Sequence, residues 1–171
     1  MGAAERTAQA LGRGIDLLGQ CVSWLMLALV LLVAGNVLSR YLLGFSDVAM
    51  QELEWHLVVP IALLGMAYSI RRGGHVRVDV LYERFGPRLQ AAVDVLTGVL
   101  IVLFAVVSIY LALPYVEQSY SIGESSPDPG GLENRWIIKA CIPLGFLVLA
   151  LQGVAMTIDS TLAFLRARPL T

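Results

Sequence analysis

The sequence predicts an all-α integral membrane protein with four transmembrane helices and both termini on the cytoplasmic side. A short amphipathic interfacial helix is expected between the second and third spans. Three observations lead there. Only 15% of residues are charged and the mean hydropathy is +0.74, whereas roughly a quarter of an ordinary soluble domain is charged. Cys21–Ser39, Val95–Val116 and Ala140–Ile158 contain no Asp, Glu, Lys or Arg, and about 20 apolar residues let a helix cross the hydrocarbon core. The basic residues are also unevenly placed. Arg6, Arg13, Arg71, Arg72, Arg77, Arg84, Arg88, Arg166 and Arg168 fall on one side of the implied membrane, against Arg40, Arg135 and Lys139 on the other. Short loops rich in Lys and Arg stay in the cytoplasm, which sets the orientation.

Each element follows in order. Span one is expected at 15–43. Its apolar stretch is too long for a cleavable signal, and no small-residue cleavage site follows, so it reads as a retained span. Arg6 occupies the position where a myristoylation signal needs Ser or Thr. Span two, 48–70, has a charge-free part, Leu57–Ile70, that extends backwards only if Glu52 and Glu54 are tolerated. Gly73-Gly74 then reads as a helix C-cap.

His75–Val80 alternates polar and apolar residues, a strand-like period. A lone strand has no partner, and unpaired backbone is costly near lipid. The expectation is an extended lead-in, then a short surface helix carrying Leu81, Tyr82, Phe85 and Leu89 at helical spacing, with Asp79 as N-cap. Pro87 suits the first turn of span three, 87–117. The stretch from Ser119 to Arg135 gathers Gly, Ser, Pro and acids into an outer loop of turns. Trp136 opens span four, 136–165, at interface level. Pro60, Pro114 and Pro143 put a kink-prone proline in each of the last three spans. The whole of 1–171 is expected to be one domain.

The chemistry-bearing residues sit at span ends. Arg40, Glu52, Glu54, Glu117 and Lys139 all fall in the outer third of the membrane under this topology. Burying an ionised side chain at a span's centre costs about 2.5–3.5 kcal/mol on insertion scales, and Glu is too short to snorkel far. Pairing, or contact with a partner or lipid, is the expected role of Arg40, Glu52, Glu54, Lys139 and Trp136. Arg71, Arg72, Arg77, Arg84 and Arg88 are expected to anchor the inner surface. Glu52 and His56 share a helix face, as do Asn36 and Arg40. A conducting path would need acids through the full depth, and span two has none between Leu57 and Ile70.

Cofactor chemistry finds no foothold. Membrane cytochromes grip haem between histidines on facing helices, but His56 and His75 would lie about 28 Å apart along a continuous helix. No zinc motif, nucleophile elbow or phosphate loop is present, so no catalytic residue, metal or cofactor is expected. Cys21 and Cys141 fall near opposite membrane faces, too far apart for the ~7 Å a disulfide allows. Small residues at Ala34-Gly35, Gly65, Thr97-Gly98, Gly145 and Gly153 suit close helix packing in lipid.

With these residues in view, the chain resembles the small membrane subunit of tripartite ATP-independent periplasmic (TRAP) transporters, the DctQ-like family. The resemblance spans nearly the whole chain. It rests on the run from Arg71 to Arg84 after an acid-opened span, on Gly123 to Leu132, on Arg135 to Lys139, on Ile142 to Phe146, and on Leu151-Gln152-Gly153. One departure is Glu133, where the family pattern would carry a proline. The resemblance implies a fixed scaffold that braces a large, separate DctM-like subunit, which holds the solute and sodium sites. It also implies a periplasmic binding protein that delivers a carboxylate-type solute, in a bacterial inner membrane. Phospholipids are the other expected partner, and nucleic acid is not one. A membrane anchor for a redox complex and a stand-alone carrier are the rivals; the first needs a cofactor, the second needs no partner.

Overall fold

The computed structural model describes residues 2–74 and 82–167. Within them lie four long helices: α1 (Ala3–Leu42), α2 (Val48–Arg71), α3 (Pro87–Ser121) and α4 (Trp136–Arg166). All four are long and apolar enough to span a membrane. At 1.5 Å per residue, α2 measures ~36 Å and α1 ~60 Å against a hydrocarbon core of ~30 Å. The first helix must therefore project well beyond the lipid.

That projection explains why α1 begins at Ala3 rather than near Ile15. The Gly2 N–H donates to the Glu5 carboxylate at 3.0 Å, closing the first turn. Ala8, Gly12, Ile15, Gly19 and Val22 are buried in succession, alternating steps of four and three that keep one helix face inward. Hydropathy misses this stripe because Arg6 precedes it and Arg13 and Asp16 lie between its members.

The other termini follow local chemistry. Asp47 caps α2 by accepting from the Ala49 N–H at 2.9 Å. Gly73 adopts a φ of 75°, which lets the N–H groups of Gly73 and Gly74 reach back to the Ile70 and Ser69 carbonyls at 3.0 and 2.8 Å. Pro87 occupies the first turn of α3 behind Gly86. Pro60, Pro114 and Pro143 lie inside continuous helices. The interfacial segment is only partly in view. Residues 75–81, including His75, Asp79 and Arg77, lie outside the described residues. The turn at 82–86 is pinned to α3, because the Tyr82 hydroxyl donates to Asp94 at 2.8 Å and Gln90 donates to the Tyr82 carbonyl at 3.0 Å.

Among the described residues α4 is the central helix, packing against all three others, and its contact with α3 is the most extensive. The reason is steric. Buried residues on α3 recur every seventh position at Ala91, Gly98, Ala105, Ala112 and Ser119, and α4 answers with Gly153. A Cβ on Gly98 would stand 3.0 Å from the Gly153 carbonyl oxygen, and one on Gly153 3.0 Å from that of Gly98. The backbones touch there, as close helix pairs in lipid require. Gly145 receives Leu63 of α2, whereas Gly65 has slack and Gly35 has no neighbour within 4 Å.

Candidate functional site

Because the helices run up and down in turn, polar side chains gather at two ends of the bundle. One end carries the connections 43–47 and 122–135, the other the start of α1, the end of α2, the start of α3 and the end of α4. Between them the helices meet mainly through small and apolar side chains, with Gln152 of α4 a buried polar exception.

At the loop end, Glu52 of α2 is the organising acid. One carboxylate oxygen accepts from the Ser126 hydroxyl and the other from the Leu132 N–H at 2.6 Å. Ser126 and Leu132 are themselves joined, N–H to carbonyl, at 3.0 Å. Gly131 is required in this turn because a Cβ there would collide with Ser126 and stand 2.8 Å from Glu52. Glu124 pairs with Lys139, whose ammonium also lies 4.1 Å from the centre of the Tyr115 ring. That ammonium holds the Glu124 carboxyl below its ordinary value of 4.5. Asn134, next to Glu133, takes a left-handed φ of 59°, so the loop turns there. Trp136 meets Tyr120 edge to face at 5.3 Å. Between α1 and α2, Asn36 is 4% exposed and donates to Glu54 at 2.8 Å.

At the terminal end, Asp16 of α1 holds both arginines that end α2: Arg71 Nε at 3.0 Å and Arg72 at 3.4 Å. The Arg71 guanidinium fits against Gly12, and the Tyr68 ring against Gly19, where in each case a Cβ would clash. Arg72 stacks over the Tyr68 ring at 5.3 Å and Arg88 over Phe164 at 4.8 Å. Arg166 pairs with Glu5, tying the end of α4 to the start of α1 and holding the Glu5 carboxyl below its ordinary value.

The expected contact residues thus divide. Glu52, Glu54 and Lys139 have partners within the chain, Trp136 rests on Tyr120, and Arg40 is exposed. Of the expected anchors, Arg84 and Arg88 are exposed, Arg71 and Arg72 clasp Asp16, and Arg77 is outside the described residues. Sequence reasoning missed Asp16, Glu124 and Ser126. Hairpin arithmetic gives a signal for the first, since the start of α1 must face the end of α2, where two arginines sit. Among the described residues no group of three or more His, Cys, Asp or Glu side chains could hold a metal ion.

This architecture matches known proteins in sequence. The family described as tripartite ATP-independent periplasmic transporters, DctQ component, matches residues 29–162. The chain belongs to that family. It is 30% identical over 143 residues to the ectoine TRAP transporter small permease protein TeaB of Halomonas elongata, covering 81% of this chain and 73% of that one. It is also 24% identical over 177 residues to protein y4mM of Sinorhizobium fredii, where the match covers 97% of this chain but only 30% of the relative. The DctQ-family chain is therefore a multi-pass small permease subunit of a TRAP transporter, not an enzyme. Membership implies, in general, a large membrane subunit and a periplasmic binding protein as partners.

Proposed function

We propose that the chain is a fixed scaffold that braces the large subunit during sodium-gradient-driven uptake of a carboxylate-type solute delivered by a periplasmic binding protein. The supporting observation is how the charges are used. Ion pairs and charged hydrogen bonds sit at the two ends, where they tie helices and loop together. The apolar middles of α2, α3 and α4 carry no charged residue at Leu57–Ile70, Val95–Val116 and Ala140–Ile158. Gln152, buried near the middle of α4, is neutral, and a chain that carried an ion or a carboxylate would need more polar groups at that depth.

The membrane is a bacterial inner membrane, with the terminal end cytoplasmic because that end holds seven of the ten basic residues among those described. Arg40 and Trp136 face the large subunit or the headgroups, while Glu52, Glu54 and Lys139 shape that surface from within. Arg84 and Arg88, with Arg71 and Arg72 at the same end, hold the inner face near anionic lipid, and Arg77 is assigned to that face from sequence alone. Two measurements test this reading. A single cysteine at Ser126, in a chain whose native cysteines are replaced by serine, should label from the periplasm in intact cells, and one at Arg84 should not; the reverse pattern refutes the orientation. Arg40→Leu should weaken co-purification with the large subunit, and unchanged recovery would remove Arg40 from the contact.

A further inference from the structure

At the loop end a cleft of about 270 Å³ opens between α2, α3 and α4. Its polar lining is His56, Arg135 and Lys139, flanked by Trp55 and Tyr115, with Ile142 in its floor. No carboxylate lines it. The reason lies in the loop: Glu52 has both oxygens bound to Ser126 and Leu132, and Glu124 is turned onto Lys139. Arg135 feels the Glu124 charge, yet its guanidinium makes no hydrogen bond or ion pair among the described residues. With Nδ1 donating to the Glu52 carbonyl at 2.8 Å, His56 leaves Nε2 unengaged.

We propose that this cleft binds the phosphate of a membrane phospholipid, with Arg135 as its principal cation. An unpaired guanidinium presents a fork of N–H donors that matches two phosphate oxygens at once. The cleft stands at a membrane end, and Trp55 is 73% exposed beside it, as interfacial aromatics at headgroup level are. Its floor of aliphatic side chains leads toward mid-membrane, where a glycerol backbone and acyl chain would follow the phosphate and a free carboxylate would find nothing. A bound phospholipid would also occupy the α2–α3 gap, since those helices meet chiefly through α4. The inference needs the chain to lie in a membrane and does not depend on the scaffold role.

The test titrates the full chain, purified in mild detergent, with phosphatidylglycerol and counts bound lipid by native mass spectrometry. Arg135→Gln should weaken binding about tenfold, the loss expected for one charge-assisted pair. Arg135→Lys should recover part of it, and Arg40→Gln, at the same membrane end but outside the cleft, should bind as the native chain does. Val59→Trp fills the cleft while keeping every charge, and should lose lipid equally. Native-like binding in either Arg135→Gln or Val59→Trp overturns the site, and the second variant decides if the first does not fold. Inorganic phosphate competing as strongly as the lipid would overturn the phospholipid assignment.

Discussion

The two helical hairpins of this chain are joined by different physics. In α3–α4 the backbones themselves meet at Gly98 and Gly153, and the contact depends on having no side chain there. In α1–α2 the helices are held by polar clasps at both ends, Asp16 with Arg71 and Arg72 at one and Asn36 with Glu54 at the other. Lipid tails supply little hydrophobic drive for helix association, which leaves close packing or interhelical hydrogen bonds as the means. Each hairpin leans on one of these means, although α1–α2 also seats the Tyr68 ring against Gly19. The Gly98–Gly153 contact should respond to volume and not to salt, and the Asp16 clasp should respond to salt.

The comparison breaks most visibly at the glycines. Gly98→Leu forces a side chain into the Gly153 carbonyl and should cost about 1–3 kcal/mol or more by overpacking, read as a lower melting temperature and loss of the monodisperse species in detergent. In the clasped hairpin, Glu54→Leu leaves the buried Asn36 amide without its acceptor, at a cost of about 1–3 kcal/mol. Asp16→Leu should cost less, about 1 kcal/mol or under, because Asp16 and Arg71 are each about a quarter exposed and solvent screens the pair. Only this last loss should shrink as salt is added.

The acidic clasp that holds the 122–135 loop has a pH signature. Glu124 has its carboxyl held below 4.5 by Lys139, so its contribution is complete above that ordinary value and fades only as pH falls through the lowered one. Cleavage of the loop by an acid-tolerant protease should stay flat from neutrality to about pH 5 and rise below it. Lys139→Gln should weaken that dependence. Smallest of all is Gly35→Ala. With nothing within 4 Å of the added methyl, it should change stability by under about 1 kcal/mol, in the stabilising direction through helix propensity. A large loss there would mean that the contrast with Gly98 is not steric.

Much of the fold was legible because lipid imposes simple rules. Apolar runs of sufficient length marked four helices, Pro87 marked the start of α3, and Gly73-Gly74 marked the end of α2. The N-terminal extension of α1 was not legible from hydropathy, because its buried face is a stripe of small residues among charges. The polar clasps were harder still. Glu52 binds Ser126 and Leu132, which lie 74 and 80 residues away in sequence, and no local pattern announces a contact made through folding. Composition grouped the charged residues at the ends of the spans without revealing which already had partners. Arg135, read from sequence as an outer-side basic residue within a family segment, emerged as an unpaired cation once the neighbouring acids were seen to be occupied.

The scaffold role itself is tested most directly by solute uptake into proteoliposomes under an inward sodium gradient, with the binding protein and its solute supplied outside. The account predicts uptake when this chain and the large subunit are reconstituted together, and none when this chain is reconstituted alone. Gradient-dependent uptake by this chain alone would contradict it.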